Sequence, residues 1–307
     1  MKKVLVVSSA NMDMVMNIDK IPDPGQTVID NGTYEYIPGG KGANSALAFS
    51  KLGSECVFLT RMGNDDNSKI LLKLYADNGI DTSYIERDKD SLTGLASILV
   101  EKEGQNRIIV FPGANQKISK EQIDRALSDD IDALYMQFEI NYDAIIYAAK
   151  KASEKGIPIF IDAGAIKDDF PFEKLPHIEV FSPNESETYT ITKIYPKDQA
   201  SIEKAAVALF NLISTEYVVI KLGSKGAYIF DGKEGFLSPS FDINVVDTTA
   251  AGDAFTAALT LRYLEKKDIF DSCKYANVVG ALTVSKKGAS TSIPSKEDII
   301  DFLSKSN

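Results

Sequence analysis

The chain has 307 residues, 44% of them hydrophobic and 25% charged, a balance that supports one large α/β domain or two smaller ones and excludes a disordered chain. Its formal net charge of −10, with no basic stripe, argues against nucleic acid as a partner, and no apolar run approaches the roughly 20 residues needed to span a bilayer. Cys56 and Cys273, the only cysteines, fit reduced thiols in the cytoplasm, and a single histidine, His177, leaves no His-rich metal site and argues against a Ser-His-Asp triad.

Residues 4–8 read as a buried first strand. The apolar run is too short, and Asn11 and Asp13 follow too soon, for a signal peptide. Residues 12–37 have period-two character. A helix is expected over 43–52, stopped by Gly53, then a strand over 55–60 and a helix over 67–78, stopped by Gly79. Residues 92–110 hold two strand-like runs, 93–100 and 107–111, around the turn Glu103-Gly104-Gln105-Asn106. A strand over 133–136, a helix over 143–155 stopped by Gly156, and a strand over 157–161 follow. Further strands are expected over 178–182, 217–222 and 227–230, and helices over 199–212, 254–264 and 271–285. This alternation predicts an α/β fold across residues 1–307: a mainly parallel, Rossmann-like central sheet with helices on both faces. The regions from about 12–37 and 92–111 read as antiparallel hairpins forming a small inserted β-sheet, placed to act as a lid or a dimer edge.

The run Asp247-Thr248-Thr249-Ala250-Ala251-Gly252-Asp253 is the most informative stretch. The β-branched residues Ile243, Val245 and Val246 lead into it and an apolar-rich helix follows. N–H groups at a helix start lack internal partners and carry partial positive charge, so phosphate suits the place. A carboxylate there would repel phosphate unless it had work to do, such as taking a proton from a hydroxyl that attacks phosphorus. The same run also suits an ordinary helix start with Asp253 as a first-turn acid.

Pro38-Gly39-Gly40-Lys41-Gly42-Ala43-Asn44 precedes a helix without the spacing of the Walker phosphate loop, and suits either another polar ligand site or a plain Gly-rich turn. Asn11 and Asp13 follow the first strand, where open α/β sheets bind ligands; vicinal sugar hydroxyls would suit the pair, as would an ordinary turn. Ser182-Pro183-Asn184-Glu185-Ser186-Glu187 could order Mg²⁺ through waters or simply cap a helix. Lys221-Leu222-Gly223-Ser224-Lys225-Gly226 offers a tight turn for a nucleotide to lie against. Lys286 to Ser292 is a loop able to present carbonyl oxygens to a cation.

These motifs occur in the order found in the ribokinase-like carbohydrate kinase family, which the chain resembles from Val4 to about Leu303. The resemblance implies transfer of the ATP γ-phosphoryl group to a sugar hydroxymethyl. D-ribose is the first expected acceptor; fructose, another pentose or a nucleoside are alternatives, and a silent sugar or nucleotide sensor is a further one. It implies Asp253 as the base and the backbone of Ala250, Ala251 and Gly252 as the anion hole. Asn11, Asp13, Gly39, Gly40, Lys41, Asn44 and Glu139 would hold the sugar. Asn184 and Glu187 would organise Mg²⁺ and phosphate, and Lys221, Gly223, Ser224, Gly226, Gly252 and Asn277 the nucleotide. Potassium activation is implied at Asp247, Thr249, Thr283, Lys286, Gly288 and Ser292, mostly through carbonyls, and a homodimer through the lid sheet. The chain departs where Asp162-Ala163-Gly164-Ala165 stands for the Asn-Pro-Ala-Pro of many members, and where Gln26 follows Pro24-Gly25 in place of glutamate. Both departures bear on the choice of sugar rather than on the base.

Overall fold

The computed structural model of the chain describes residues 1–103 and 105–305. Its first strand, β1 (Lys3–Val7), has Val4, Leu5, Val6 and Val7 fully buried. A strand buried on both faces belongs inside a sheet covered by helices. After it come β2 (Asn11–Ile18), β3 (Thr33–Gly39), α1 (Lys41–Lys51), β4 (Glu55–Leu59), β5 (Arg61–Gly63), α2 (Asp66–Asp77), β6 (Glu86–Asp88), β7 (Gly94–Glu101) and β8 (Asn106–Phe111). The middle of the chain holds α3 (Lys120–Ala126), β9 (Ala133–Met136), α4 (Tyr142–Glu154), β10 (Ile159–Asp162), β11 (Ile178–Ser182), α5 (Glu185–Thr192) and α6 (Gln199–Leu212). It ends with β12 (Thr215–Lys221), β13 (Ala227–Phe230), β14 (Gly235–Ser238), α7 (Ala251–Lys266), α8 (Ile269–Val284) and α9 (Lys296–Lys305).

The main sheet has eight strands in the order β14-β13-β12-β11-β10-β9-β1-β4, parallel from β12 to β4 and antiparallel at the β13 and β14 edge. Alternate residues face opposite layers, as strand geometry requires. Val4 and Val6 pack with α1, α7 and α8, while Leu5 and Val7 pack with α3, α4 and α6. β1 has β9 on one side and β4 on the other, so connections leave it in both directions. That makes a crevice at the carboxyl ends of the strands.

The two regions read as hairpins are hairpins, β2 with β3 and β7 with β8. A parallel pairing of β2 with β7, Asn11 opposite Gly94, fuses them into one four-stranded sheet in the order β3-β2-β7-β8. Gly104, in the turn expected between β7 and β8, lies outside the described residues. The expected helices and main-sheet strands are all present with ends shifted by a few residues. The β5–β6 pair, β14, α3 and α9 are additional. The Ile243, Val245, Val246 run that leads into the Asp247 turn is irregular, with Ile243 half-buried and Val245 and Val246 exposed. No helix among the described residues is long and apolar enough to cross a membrane.

Candidate active site

Asn11 and Asp13 open β2, just past the carboxyl end of β1. Asn115 locks Asn11 in place: its Nδ2 donates to Asn11 Oδ1 at 2.8 Å and its Oδ1 accepts from Ala10 N at 3.0 Å. The Asn11 amide nitrogen keeps its donors for a partner outside that network. Burial pushes the Asp13 carboxyl up to about 6, with the charge of Glu139 adding, and no donor among the described residues reaches it. Gly39 closes beneath it, where a Cβ would lie 2.2 Å from Asp13 Oδ2. Gly40 turns the chain from β3 into α1 at φ 93°, and a Cβ there would meet Asn11 N at 2.8 Å, so only glycine fits. Glu139, beyond β9, accepts from Ser9 Oγ at 2.5 Å and from the Lys41 N–H at 3.1 Å, tying three segments together.

Asp253 lies in the first turn of α7 and is 5% exposed. Its Oδ2 accepts from Asn44 Nδ2 at 2.9 Å and its Oδ1 from Gln137 Nε2 at 3.0 Å. Ser8 Oγ donates to Gln137 Oε1 at 3.1 Å, which fixes the glutamine with its NH₂ toward the acid. Burial raises the Asp253 pKa, and the nearby Lys41 ammonium pulls it back. The same attraction to Asp253, with Glu139, Asp162 and Glu187 adding, holds Lys41 well above its ordinary value. Desolvation favours uptake of a proton by this carboxylate, while its two donors keep it ionised and aimed until a hydroxyl arrives. Asn44 Oδ1 is buried with no partner among the described residues. Such an acceptor is costly unless a ligand donor completes it.

A cavity of about 420 Å³ opens beside the α7 start, lined in part by Lys221, Gly223, Ser224, Gly226, Gly252 and Asn277. Six of the residues expected on the nucleotide side therefore line one cavity, while Asn184, expected beside the phosphates, is not among its lining residues. Asn277 also braces that wall, donating from Nδ2 to the carbonyls of Ser238 at 3.0 Å and Pro239 at 3.1 Å. Ala250, at φ 62°, feeds the chain into α7 in a left-handed turn, a strained conformation for a residue with a Cβ.

A family model described as pfkB family carbohydrate kinase matches residues 1–296. The chain belongs to the pfkB family of carbohydrate kinases. It is 33% identical to a ribokinase of Haemophilus influenzae over 98% of each chain. It is 35% identical to a bifunctional ribokinase/ribose-5-phosphate isomerase A of Fructilactobacillus sanfranciscensis, spanning 99% of this chain but only 56% of that one. A structure of Arabidopsis thaliana ribokinase complexed with ribose and ATP superposes with a TM-score of 0.90 at 31% identity, covering 98% of each chain.

In this carbohydrate kinase Asn184 and Glu187 form a reciprocal cap on α5. Asn184 Oδ1 accepts from Glu187 N, and Glu187 Oε2 accepts from Asn184 N, both at 2.8 Å. The cap and the strand-end position coexist; burial raises the Glu187 pKa, opposed by Lys221. Among the described residues no group of three or more His, Cys, Asp or Glu side chains is arranged to hold a metal. Asp247 joins the two loops expected to face potassium, accepting from Thr249 N and from Gly288 N, each at 2.9 Å. Thr283 and Ser292 donate their hydroxyls to the carbonyls of Val279 and Ala289, and the Lys286 ammonium faces Asp298.

Three residues of the kinase site are not singled out by sequence reasoning for the roles the structure gives them. Gln137 sits two residues before Glu139, whose charge makes it the more conspicuous candidate. Asp162 stands out in the sequence only as a departure from the family pattern, yet it is buried and ion-paired with Lys221. Thr256 lies one turn after Asp253 on α7, and its hydroxyl donates to Asp162 Oδ2 at 2.5 Å. A polar residue at the end of a buried strand is the signal that could have found the first two.

Proposed function

We propose that the protein transfers the γ-phosphoryl group of ATP to the hydroxymethyl oxygen of a sugar, D-ribose giving ribose 5-phosphate. The observation that carries this is the pairing of Asp253, desolvated and held by two amides, with unsatisfied acceptors at Asn44 Oδ1 and Asp13. Acceptors without donors call for a ligand rich in hydroxyls. The ribokinases among its relatives, and the ribose and ATP with which the Arabidopsis ribokinase is complexed, support the choice of sugar and donor.

Asn11, Asp13, Gly39, Gly40, Lys41, Asn44 and Glu139 bind the sugar. Asp253 takes the proton of the attacking hydroxyl as its oxygen bonds to the terminal phosphorus and the bond to ADP breaks. The main-chain N–H groups at the start of α7, from Ala250 to Gly252, receive the charge that develops on the transferring group. The nucleotide lies against Lys221, Gly223, Ser224, Gly226 and Asn277, with Asn184 nearby. Lys41 faces four carboxylates, Asp253, Glu139, Asp162 and Glu187, an excess of negative charge that an anionic nucleotide would meet. Mg²⁺ bound to the nucleotide would offset this and polarise its phosphates, with Glu187 as the protein group suited to order its waters. Asp247 and the main-chain oxygens of Thr249, Thr283, Lys286, Gly288 and Ser292 suit a potassium ion beside the helix start. The four-stranded sheet acts as the lid and, with the exposed face of β8, as a homodimer contact. The two buried, unpaired thiols fit a cytoplasmic enzyme.

The test is ADP release with Mg-ATP across a panel of pentoses, hexoses and nucleosides, with and without potassium. Ribose should give the highest kcat/KM, and potassium should raise it. Nucleotide and sugar binding without turnover on any acceptor would defeat the proposal.

A further inference from the structure

Lys221 ends β12 and Asp162 ends β10, with β11 between them, so both side chains emerge at the carboxyl edge of the sheet. They form an ion pair almost out of solvent, with side-chain exposures of 10% and 3%. Asp162 is bonded on both oxygens. Its Oδ2 takes Lys221 Nζ and the Thr256 hydroxyl, and its Oδ1 accepts from Gly164 N at 2.9 Å. Lys221 is not saturated: its ammonium has three donors, and among the described residues it meets, beyond Asp162, only Thr256 Oγ1, at 3.4 Å. Its chain lines the nucleotide cavity, and Nζ lies 3.6 Å from where a Cβ on Gly252 would stand. A spare ammonium donor thus sits beside the start of α7, whose first-turn N–H groups have no partners within the helix.

Stability does not account for this arrangement. Burying an ion pair costs desolvation that an apolar pair of similar size would avoid. We infer that Lys221 is a catalytic residue that contacts the terminal phosphoryl group of the nucleotide during transfer, and that Asp162 and Thr256 are positioning residues that aim its ammonium at the helix start. This rests on the proposed phosphoryl transfer and names the side chain that joins the main-chain donors of α7 in receiving its charge. Asp162 keeps the lysine extended along the sheet edge, and Thr256 fixes the carboxylate from α7 itself. Base and ammonium are therefore carried by one helix and its immediate neighbours.

The experiment compares wild type, Lys221→Met, and the double variant Asp162→Asn/Lys221→Met. Lys221→Met alone strands a buried carboxylate and should lower Tm; the double variant removes that charge and should restore it. Two readouts follow on the double variant once its Tm matches wild type: affinity for Mg-ADP and for a non-hydrolysable Mg-ATP analogue by calorimetry, and kcat for ribose-dependent ADP release. The inference expects the analogue to bind about tenfold or more weakly while ADP changes little, as for loss of one charge-assisted hydrogen bond. It expects kcat to stay about 10²–10³-fold down although stability has returned. A kcat loss with analogue binding intact also supports it, as a contact made only during transfer. Equal weakening of both nucleotides, or turnover back near wild type together with unchanged binding, overturns it. The binding comparison needs no turnover: were wild type inactive on every sugar, the proposed reaction would fail, while selective weakening of the analogue would still support the phosphate contact and unchanged binding would overturn it.

Discussion

Asp13, Asn44, Gln137 and Asp253 stand on strand ends and first helical turns, held by side-chain hydrogen bonds or pressed against glycine. The far wall of the nucleotide cavity is instead the irregular stretch 240–248, where Val245 and Val246 are 58% and 54% exposed. The proposed sugar end is built before any ligand arrives, whereas much of the proposed nucleotide end is a surface loop resting on the braced Gly-rich turn. Phosphoryl transfer depends on alignment, so the rigid end should carry the chemistry and the looser end should set exchange of nucleotide.

Substitution at the rigid end should therefore strike turnover hardest. Asp253→Asn should lower kcat by about 10²–10⁴, the usual worth of a general base, with sugar affinity nearly unchanged by calorimetry. A variant that retains near-normal turnover would remove Asp253 from its role. Asp13→Ala should weaken sugar binding by about tenfold or more with a smaller effect on kcat, and an unchanged KM for sugar would move the sugar elsewhere. Gln137→Leu removes one donor from the ionised base. It should cost about tenfold in kcat and move the acid limb of the pH–rate profile upward, because a lost hydrogen bond to the charged form raises the pKa. An unmoved limb would leave Gln137 as packing only.

Asp13 sharpens the comparison through pH. Its carboxyl titrates near about 6 in the folded protein against an ordinary 3.8, so the native state binds the extra proton between those values. The contribution of this group to stability thus falls as pH rises through that window, and the ionised carboxylate needed for sugar is held at a cost at neutral pH. Sugar KM should rise as pH drops below about 6, and Asp13→Asn should flatten that limb and raise Tm at pH 7.5 by about 2 °C or more. A lower Tm in that variant would show that the carboxylate is not strained. The smallest effect belongs to Ala250→Gly. Relief of the left-handed strain and the extra freedom of unfolded glycine nearly cancel, for a net change within about 1 kcal/mol in denaturant unfolding.

The main sheet was legible because strands such as Val4 to Val7 and Ile159 to Ile161 are continuous apolar runs, and helices between them stop at Gly53, Gly79 and Gly156. The hairpins were legible from alternation. The β2–β7 pairing was not, because nothing in Met12 to Ile18 specifies a partner at Leu95 to Glu101. β14 went unseen since Gly235 to Ser238 is short and largely exposed, and α9 because its apolar face only gains meaning against α8. In the site, residues on Gly-rich turns or at helix starts announced themselves by spacing. Gln137, Asp162 and Thr256 did not, for their importance lies in what the fold brings beside them from distant strands.

The most direct test is a crystal structure with ribose and a non-hydrolysable Mg-ATP analogue. The account predicts the sugar hydroxymethyl oxygen about 3–3.5 Å from the terminal phosphorus, with the Asp253 carboxylate within about 2.6–3.2 Å of that oxygen. A terminal phosphate seated away from the start of α7, with Asp253 still bonded only to Asn44 and Gln137, would contradict it.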